Sequence, residues 1–354
     1  MSSEPLVQGT LVGGGGAAPG AGPAASAESL LSAKPASLWR DTLTNVYRQR
    51  SAIVGTIVLA FLVFVGIFAG PTVSSTPAGL VDEWPAEGEP AGIHIAPFDP
   101  TRPLLGEPGE EGLVRRSPPC VHALGCPAEL PEHLFGTDGN FRDLYSRVVY
   151  GTRVSVPAGF GAIGLAIIIG TLIGAMAGYV GGWTDNVLMR FMDVLLAFPS
   201  FLLAIIITVA LGRSLTNALL AVGIVGIPVY ARIARASVLS IREAEFVAAS
   251  RALGESGFGI LLRRVLPNSL TPLVVQGTLG IGSAVLEIAG LAFIGVTGDI
   301  TVPEWGSMIS LERGQVFNSP HVVLIPGFAI ILTVLAFNLL GDGLRDALDP
   351  RLNR

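Results

Sequence analysis

Lysine is almost absent from this chain: Lys34 is the single one in 354 residues. A phosphate-cradling G-x-x-x-x-G-K-[ST] loop needs a lysine, and Lys34 stands in no such motif, so ATP hydrolysis by that route is excluded. Charge is scarce too, at 14% of residues against 50% hydrophobic, with a mean hydropathy of +0.62. Those values exclude a soluble globular chain. Histidine numbers four, and no apolar run carries a central His or Asp, which argues against an intramembrane protease. No outward-facing basic patch exists for a nucleic acid to bind. An early apolar run with a small-residue cleavage site is missing, so the first span is expected to act as its own anchor.

What the chain has instead is apolar length. Six runs approach the roughly 20 residues needed to cross a bilayer: Ser51–Gly70, Val154–Val180, Val194–Leu211, Leu215–Ala231, Thr271–Val296 and Val322–Leu340. The net charge of −5 hides a strong asymmetry. Residues 231–270 hold six Arg against three Glu, and 71–152 hold twelve Asp and Glu against five Arg. Arg40, Arg48 and Arg50 precede the first span. Positive charge marks the cytoplasmic side, so both termini and the 231–270 loop are expected there and the acidic segment outside. Residues 1–36, rich in Gly, Ala, Pro and Ser, read as a disordered tail.

The most informative stretch is Glu245 to Asn268, EFVAASRALGESGFGILLRRVLPN, a polar island between two apolar runs. Phe246, Val247, Ala249, Ala252 and Leu253 fall at helical spacing. Gly254 predicts a left-handed break, Ser256 caps a second helix, and Pro267 is expected to stop it. The bland reading is an amphipathic surface loop. The stretch also resembles the EAA loop by which ABC-importer permeases dock onto their ATPase subunits. Ala249, Ser250, Gly254 and Val265-Leu266-Pro267 match that pattern, and Ala248 stands where it has Glu. The resemblance implies ATPase coupling through Glu245, Phe246, Ala249, Ser250, Arg251, Gly254, Phe258, Leu266 and Pro267.

A second string, FGTDGNFRDLYSRVVYGTR at 135–153, is closer still. It resembles the G-T-D-x-x-G-R-D-x-x-S-R segment of the dipeptide/oligopeptide permease family. Gly136, Thr137, Asp138, Arg142, Asp143, Ser146 and Arg147 match, and Phe141 replaces the usual Gly. Read physically, Asp138, Arg142, Asp143 and Arg147 cap and brace a helix entering the membrane. Further family-like strings are MDVLLAFPS, whose Pro199 should kink the third span, PEWGSMIS (303–310) and the C-terminal 326–354. The resemblance covers about 134–354 and the first span more weakly.

Three other features bear on function. Gly170, Gly174 and Gly178 form a small-residue ladder suited to close helix packing. Glu287 lies well inside an apolar run, where a carboxylate costs about 2.5–3.5 kcal/mol, so it is expected to face a neighbouring helix or a water-filled path. Gln276 and Asn338 are further path candidates nearer the ends of their spans. The only cysteines, Cys120 and Cys126, fall in the acidic segment and can form a disulfide there. Free thiols, or a metal held with His122, are the alternatives, and no metal site is expected.

The expected protein is thus an all-α integral membrane chain of six transmembrane helices, similar to type I ABC-importer permeases. Its parts are a tail (1–45), a first helix (46–70), an outer segment (71–152), a five-helix core (153–341) with the coupling loop 232–270, and a C-terminal tail (342–354). The resemblance implies a multi-pass subunit of a prokaryotic inner membrane that imports di- or oligopeptides. It implies as partners a homologous second permease, two ATP-binding subunits, a solute-binding protein and membrane lipid. No cofactor is expected in this chain, ATP and Mg belonging to the ATPases. A proton-coupled transporter using Glu287, or the same importer class carrying nickel, haem or another solute, are the competing functions.

Overall fold

The computed structural model describes residues 49–70, 95–105, 110, 112–298 and 301–348. The expected disordered tail, all of the 71–94 stretch and the chain after 348 lie outside the described residues. Among the described residues the fold is all helical, with two isolated β-bridges.

The helices follow the apolar runs. α1 is Arg50–Ile67 and α2 is Leu144–Val180. α3, Gly182–Leu196, is amphipathic and enters the third apolar run only at Val194–Leu196, and α4, Ser200–Leu211, carries the rest of it. α5 is Leu215–Ile241, and the polar island begins with α6, Glu245–Ala252. α7, Gly257–Ile260, leads through a π-helical turn at Leu261–Val265 into α8, Leu266–Phe293. α9 is Trp305–Glu312 and α10 is His321–Leu348. Among the described residues, five helical stretches are long and apolar enough to cross a membrane, and a sixth span results if α3 and α4 count as one.

Four boundaries differ from the sequence expectation, each for a physical reason. The third span is not a kinked helix but two pieces meeting at 91°. Pro199 has no N–H to extend α3, and its carbonyl instead accepts the first bond of α4, from Leu203. The fourth helix does not stop at Ala231. It continues to Ile241 because Arg232 and Arg235 find carboxylates on α3, Asp193 at 2.6 Å and Asp185 at 2.5 Å. Pro267 does not stop a helix either. The wider π turn hands the Leu266 N–H to the Leu261 carbonyl, so Pro267 falls in the first turn of α8, where a missing donor costs little. Finally, the interfacial helix expected within 135–153 and the second span are one helix: α2 begins at Leu144, where Asp143 caps it by accepting the Ser146 N–H.

The bundle is held by α2 against α5. An ideal Cβ on Gly170, Gly174 or Gly178 would lie 2.8, 2.2 or 2.9 Å from the carbonyls of Ile227, Ala231 and Arg235. The ladder therefore brings two backbones into direct contact, as lipid-embedded helices require when no water drives them together. Ala158, Ala162 and Ala166 of α2, Ala218, Ala221 and Val222 of α5, and Ile288 and Leu291 of α8 form the main core.

Candidate functional site

The polar island folds as an elbow. α6 ends in a Schellman turn: the Glu255 N–H bonds the Ser250 carbonyl and the Gly254 N–H bonds Arg251. Gly254 takes φ +81°, the left-handed region that a glycine enters without strain. Ser256 then caps α7, its hydroxyl accepting the Gly259 N–H at 3.2 Å. The inner side of the elbow is apolar and buried: Val247, Ile260, Leu261 and Val265 pack on Ala175 and Tyr179 of α2 and Val238 of α5. Arg242 ties the base down by donating to the Gly178 carbonyl at 2.7 Å.

The outer side of the elbow is also apolar, and no described residue covers it. Leu253 is 88% exposed, Phe258 71% and Phe246 45%. Glu245, Ala249, Arg251 and Pro267 are exposed beside them, while Ser250 and Leu266 are half-buried. The nine residues expected to couple thus share one element, and seven of them face outward. Because α7, the π turn and α8 are continuous, the elbow is the root of the helix that carries Glu287.

Glu287 is half-buried on α8, and no hydrogen bond or ion pair joins it to any described residue. Gln276 lies on the same face, and its backbone carbonyl accepts from the Tyr230 hydroxyl at 3.4 Å. Asn338 does not join them: it is exposed on α10, and it is Phe337 and Gly341 that pack on α8.

At the opposite end of the bundle, the described residues of 95–105, 110 and 112–143 form a cap with α9. A disulfide joins Cys120 to Cys126, and Cys120 bridges His133 in antiparallel fashion. Asp143 caps α2, accepting from the Ser146 N–H at 2.7 Å and its hydroxyl at 2.6 Å. Asp138 accepts from Arg142 Nε at 2.7 Å and faces Arg147 Nε at 3.7 Å. Glu312 of α9 receives Arg116 at 2.7 Å and the Gly139 N–H at 2.7 Å. The four charges expected to cap and brace do so.

Four cap residues escaped the sequence reading. His133 is 1% exposed, with Nδ1 2.9 Å from Asp143 and Nε2 2.9 Å from Glu110. Burial pulls its pKa down, but the two carboxylates outweigh it and hold the imidazole above its ordinary 6.5. Glu304 caps α9 by accepting from the Gly306 and Ser307 N–H groups, and burial pushes its carboxyl up against those bonds. Trp305 is fully buried, donating from Nε1 to the Val148 carbonyl at 3.0 Å. Glu312 lies far along the chain from its partners. An acidic residue before Trp-Gly-Ser was the one local signal for α9, and Glu is not a favoured cap.

Residues 170–354 match the family of the inner membrane component of binding-protein-dependent transport systems. Residues 37–84 match the N-terminal transmembrane domain of oligopeptide transport permease C, so the likeness reaches further toward the N-terminus than the motifs implied. The dipeptide transport system permease DppC of Alkalihalophilus pseudofirmus is 40% identical over 316 residues, 89% of this chain and 91% of that one. DppC of Haemophilus influenzae is 43% identical over 74% of this chain and 85% of its own length. The glutathione transport system permease GsiD of Pectobacterium atrosepticum is 43% identical over 62% and 73%. Among solved structures, the MetNI methionine ABC transporter in an inward-facing form aligns at a TM-score of 0.48 and 18% identity, over 57% of this chain and 97% of that one. The chain is a multi-pass inner-membrane protein and belongs to the DppC/OppC-like branch of the ABC-importer permeases.

Proposed function

We propose that this chain is one of two permeases of a peptide importer and that its elbow is the socket contact for an ATPase subunit. The observation that carries the coupling is the exposed apolar side of the elbow. Phe246, Leu253 and Phe258 stand open on a base that is itself buried against α2 and α5. A loop that merely crossed the membrane surface would have no use for a fixed base with three large apolar groups on top. The relatives named for dipeptide and glutathione transport support peptide as the cargo class.

On this reading the elbow and both termini face the cytoplasm and the disulfide-bearing cap faces out, as the arginine asymmetry favours. ATP and Mg bind the partner ATPases. This chain's residues receive the motion: the elbow moves as its socket moves, and α8 moves with it. The coupling free energy is the difference in elbow–ATPase contact between two states of the complex. A second homologous permease, a second ATPase subunit and an external solute-binding protein complete the machine. Glu245, Ala249, Ser250, Arg251, Gly254, Leu266 and Pro267 form or aim the contact.

The test uses the bonded state of both native cysteines, which leaves no competing thiol. In Leu253→Cys and Phe258→Cys chains, maleimide should label the elbow freely in the isolated permease. In the full complex labelling should fall at least tenfold. Equal labelling in both would mean that the ATPase does not sit there.

A further inference from the structure

The face of α8 that carries Glu287 has a regular composition. Gln276, Gly280, Ser283, Glu287, Gly290 and Ile294 recur at spacings of three and four, so they fall on one stripe. Two aromatic side chains from other helices cover this stripe, one at each end. Toward the elbow, the Tyr230 hydroxyl of α5 lies over Gly280, where an ideal Cβ would be 2.2 Å away. Toward the cap, the Phe201 ring of α4 lies over Gly290, 3.1 Å from an ideal Cβ. Between the two rings the stripe is open: Ser283 is exposed and Glu287 half-exposed.

The opening is thus bordered by one carboxylate, the hydroxyls of Ser283 and Tyr230 and the edge of the Phe201 ring, set within apolar spans. No described residue neutralises the carboxylate. A carboxylate so placed lowers its cost by meeting a cation or a proton donor. An aromatic ring at its side adds attraction for an ammonium and none for an anion. Phe201 is in the first turn of α4, directly after the 91° break at Pro199. The ring that borders the opening therefore sits beside the bend between α3 and α4.

We infer that the Ser283–Glu287 opening, framed by Phe201 and Tyr230, is the contact for the α-ammonium group of a peptide in transit. Glu287 supplies the counter-charge and Ser283 an acceptor, with the Phe201 ring one helical turn away over Gly290. This inference rests on the peptide-importer reading, and its test separates the two.

The experiment measures uptake by the full reconstituted complex in vesicles, with the binding protein saturated by each cargo in turn. One cargo is a dipeptide with a free amine. The other is its des-amino analogue, at a concentration shown by fluorescence titration to fill the binding protein. Saturation removes capture from the comparison, so the ratio of kcat values reports the path. The native complex should favour the amine at least tenfold, Glu287→Asp should keep most of that preference, and Glu287→Gln should bring the ratio near one. Carbodiimide labelling of Glu287 in the complex should fall when the amine cargo is turned over. An unchanged preference in Glu287→Gln overturns the inference and leaves the importer reading standing. So does a Glu287 that is unreactive in the assembled complex but reactive in the isolated chain, which would assign its counter-charge to the partner permease. A native complex that takes up neither cargo overturns the peptide reading itself, and the inference with it.

Discussion

At the cap end His133, Asp138, Arg142, Asp143 and Arg147 are each no more than 5% exposed and each meets an opposite charge. At the elbow end Arg251, Arg263 and Arg264 are exposed and the buried residues are Val247, Ile260, Leu261 and Val265. One region keeps its charges inside and the other keeps its charges outside with large apolar groups beside them. Buried ion pairs contribute little net energy but are costly to break singly. They fix a shape. Exposed apolar groups on a fixed base add nothing to the chain's own fold and are free to contribute to an interface. The cap should therefore fail by unfolding and the elbow by uncoupling.

The largest expected effect is at Asp138. Its removal in Asp138→Ala strands the Arg142 and Arg147 guanidiniums and two backbone N–H groups. The loss should be about 3–5 kcal/mol, seen as an earlier melt in detergent and a faster proteolytic cut between 95 and 143. A melt within about 1 °C of the native chain would show that the cap does not depend on its buried charges.

Gly254→Val is the matching change at the elbow. No atom lies within 4 Å of an added Cβ there, so the cost is the left-handed backbone alone, about 1–2 kcal/mol. The chain should fold, insert and melt almost as before. Uptake by the complex should drop at least tenfold, because the swing of α7 carries Phe258 away from its contact. Full uptake would erase the contrast between the two ends.

Acidity should act on the cap and spare the elbow. With its folded pKa raised, His133 contributes stability fully below about 6.5, the ordinary value. That contribution is lost as pH rises through the raised one. Protection factors of residues 112–143, that is, exchange corrected for the intrinsic pH dependence of free amides, should be higher at pH 6 than at pH 8.5, and a His133→Ala chain should lose that difference. An equal pH response at the elbow amides would point to a global effect instead.

The smallest effect is a gain. Phe141 takes φ +60°, in the left-handed region, at the position where the motif it resembles has Gly. The turn is held by the Phe141 N–H to Asp138 and the Leu104 N–H to the Phe141 carbonyl, and Arg115 lies 5.4 Å over the ring. Phe141→Gly relieves roughly 1–2 kcal/mol of backbone strain and gives up the weaker cation contact. A small rise in melting temperature is expected, and a fall would mean the ring holds the turn.

Much of this was legible because it is local. The glycine ladder, the Gly254 turn, the Ser256 cap and the bracing role of Asp143 each follow from a residue and its near neighbours. The 91° break was legible as a proline and misjudged as a kink, since one residue cannot tell how far two halves of a helix diverge. α9 and the His133–Glu110 contact depend on groups far apart in the chain, and Glu312 meets Arg116 across 196 positions. The open stripe around Glu287 needed the positions of α4 and α5, which no spacing within α8 reveals.

α2 has a mechanical consequence. Its 37 residues make a rod about 55 Å long, well beyond the roughly 30 Å of a bilayer's hydrocarbon. Its first turn is fastened to the cap through Asp143 and its last turns lie in the elbow's apolar base. The glycine ladder clamps α5 to it, so the two tilt together rather than slide. A rod pivoting at its middle through about 10° displaces each tip by about 5 Å, in opposite directions. A push on one face of the membrane is then felt on the other at the same instant, by leverage alone, with no chain of side chains passing it along.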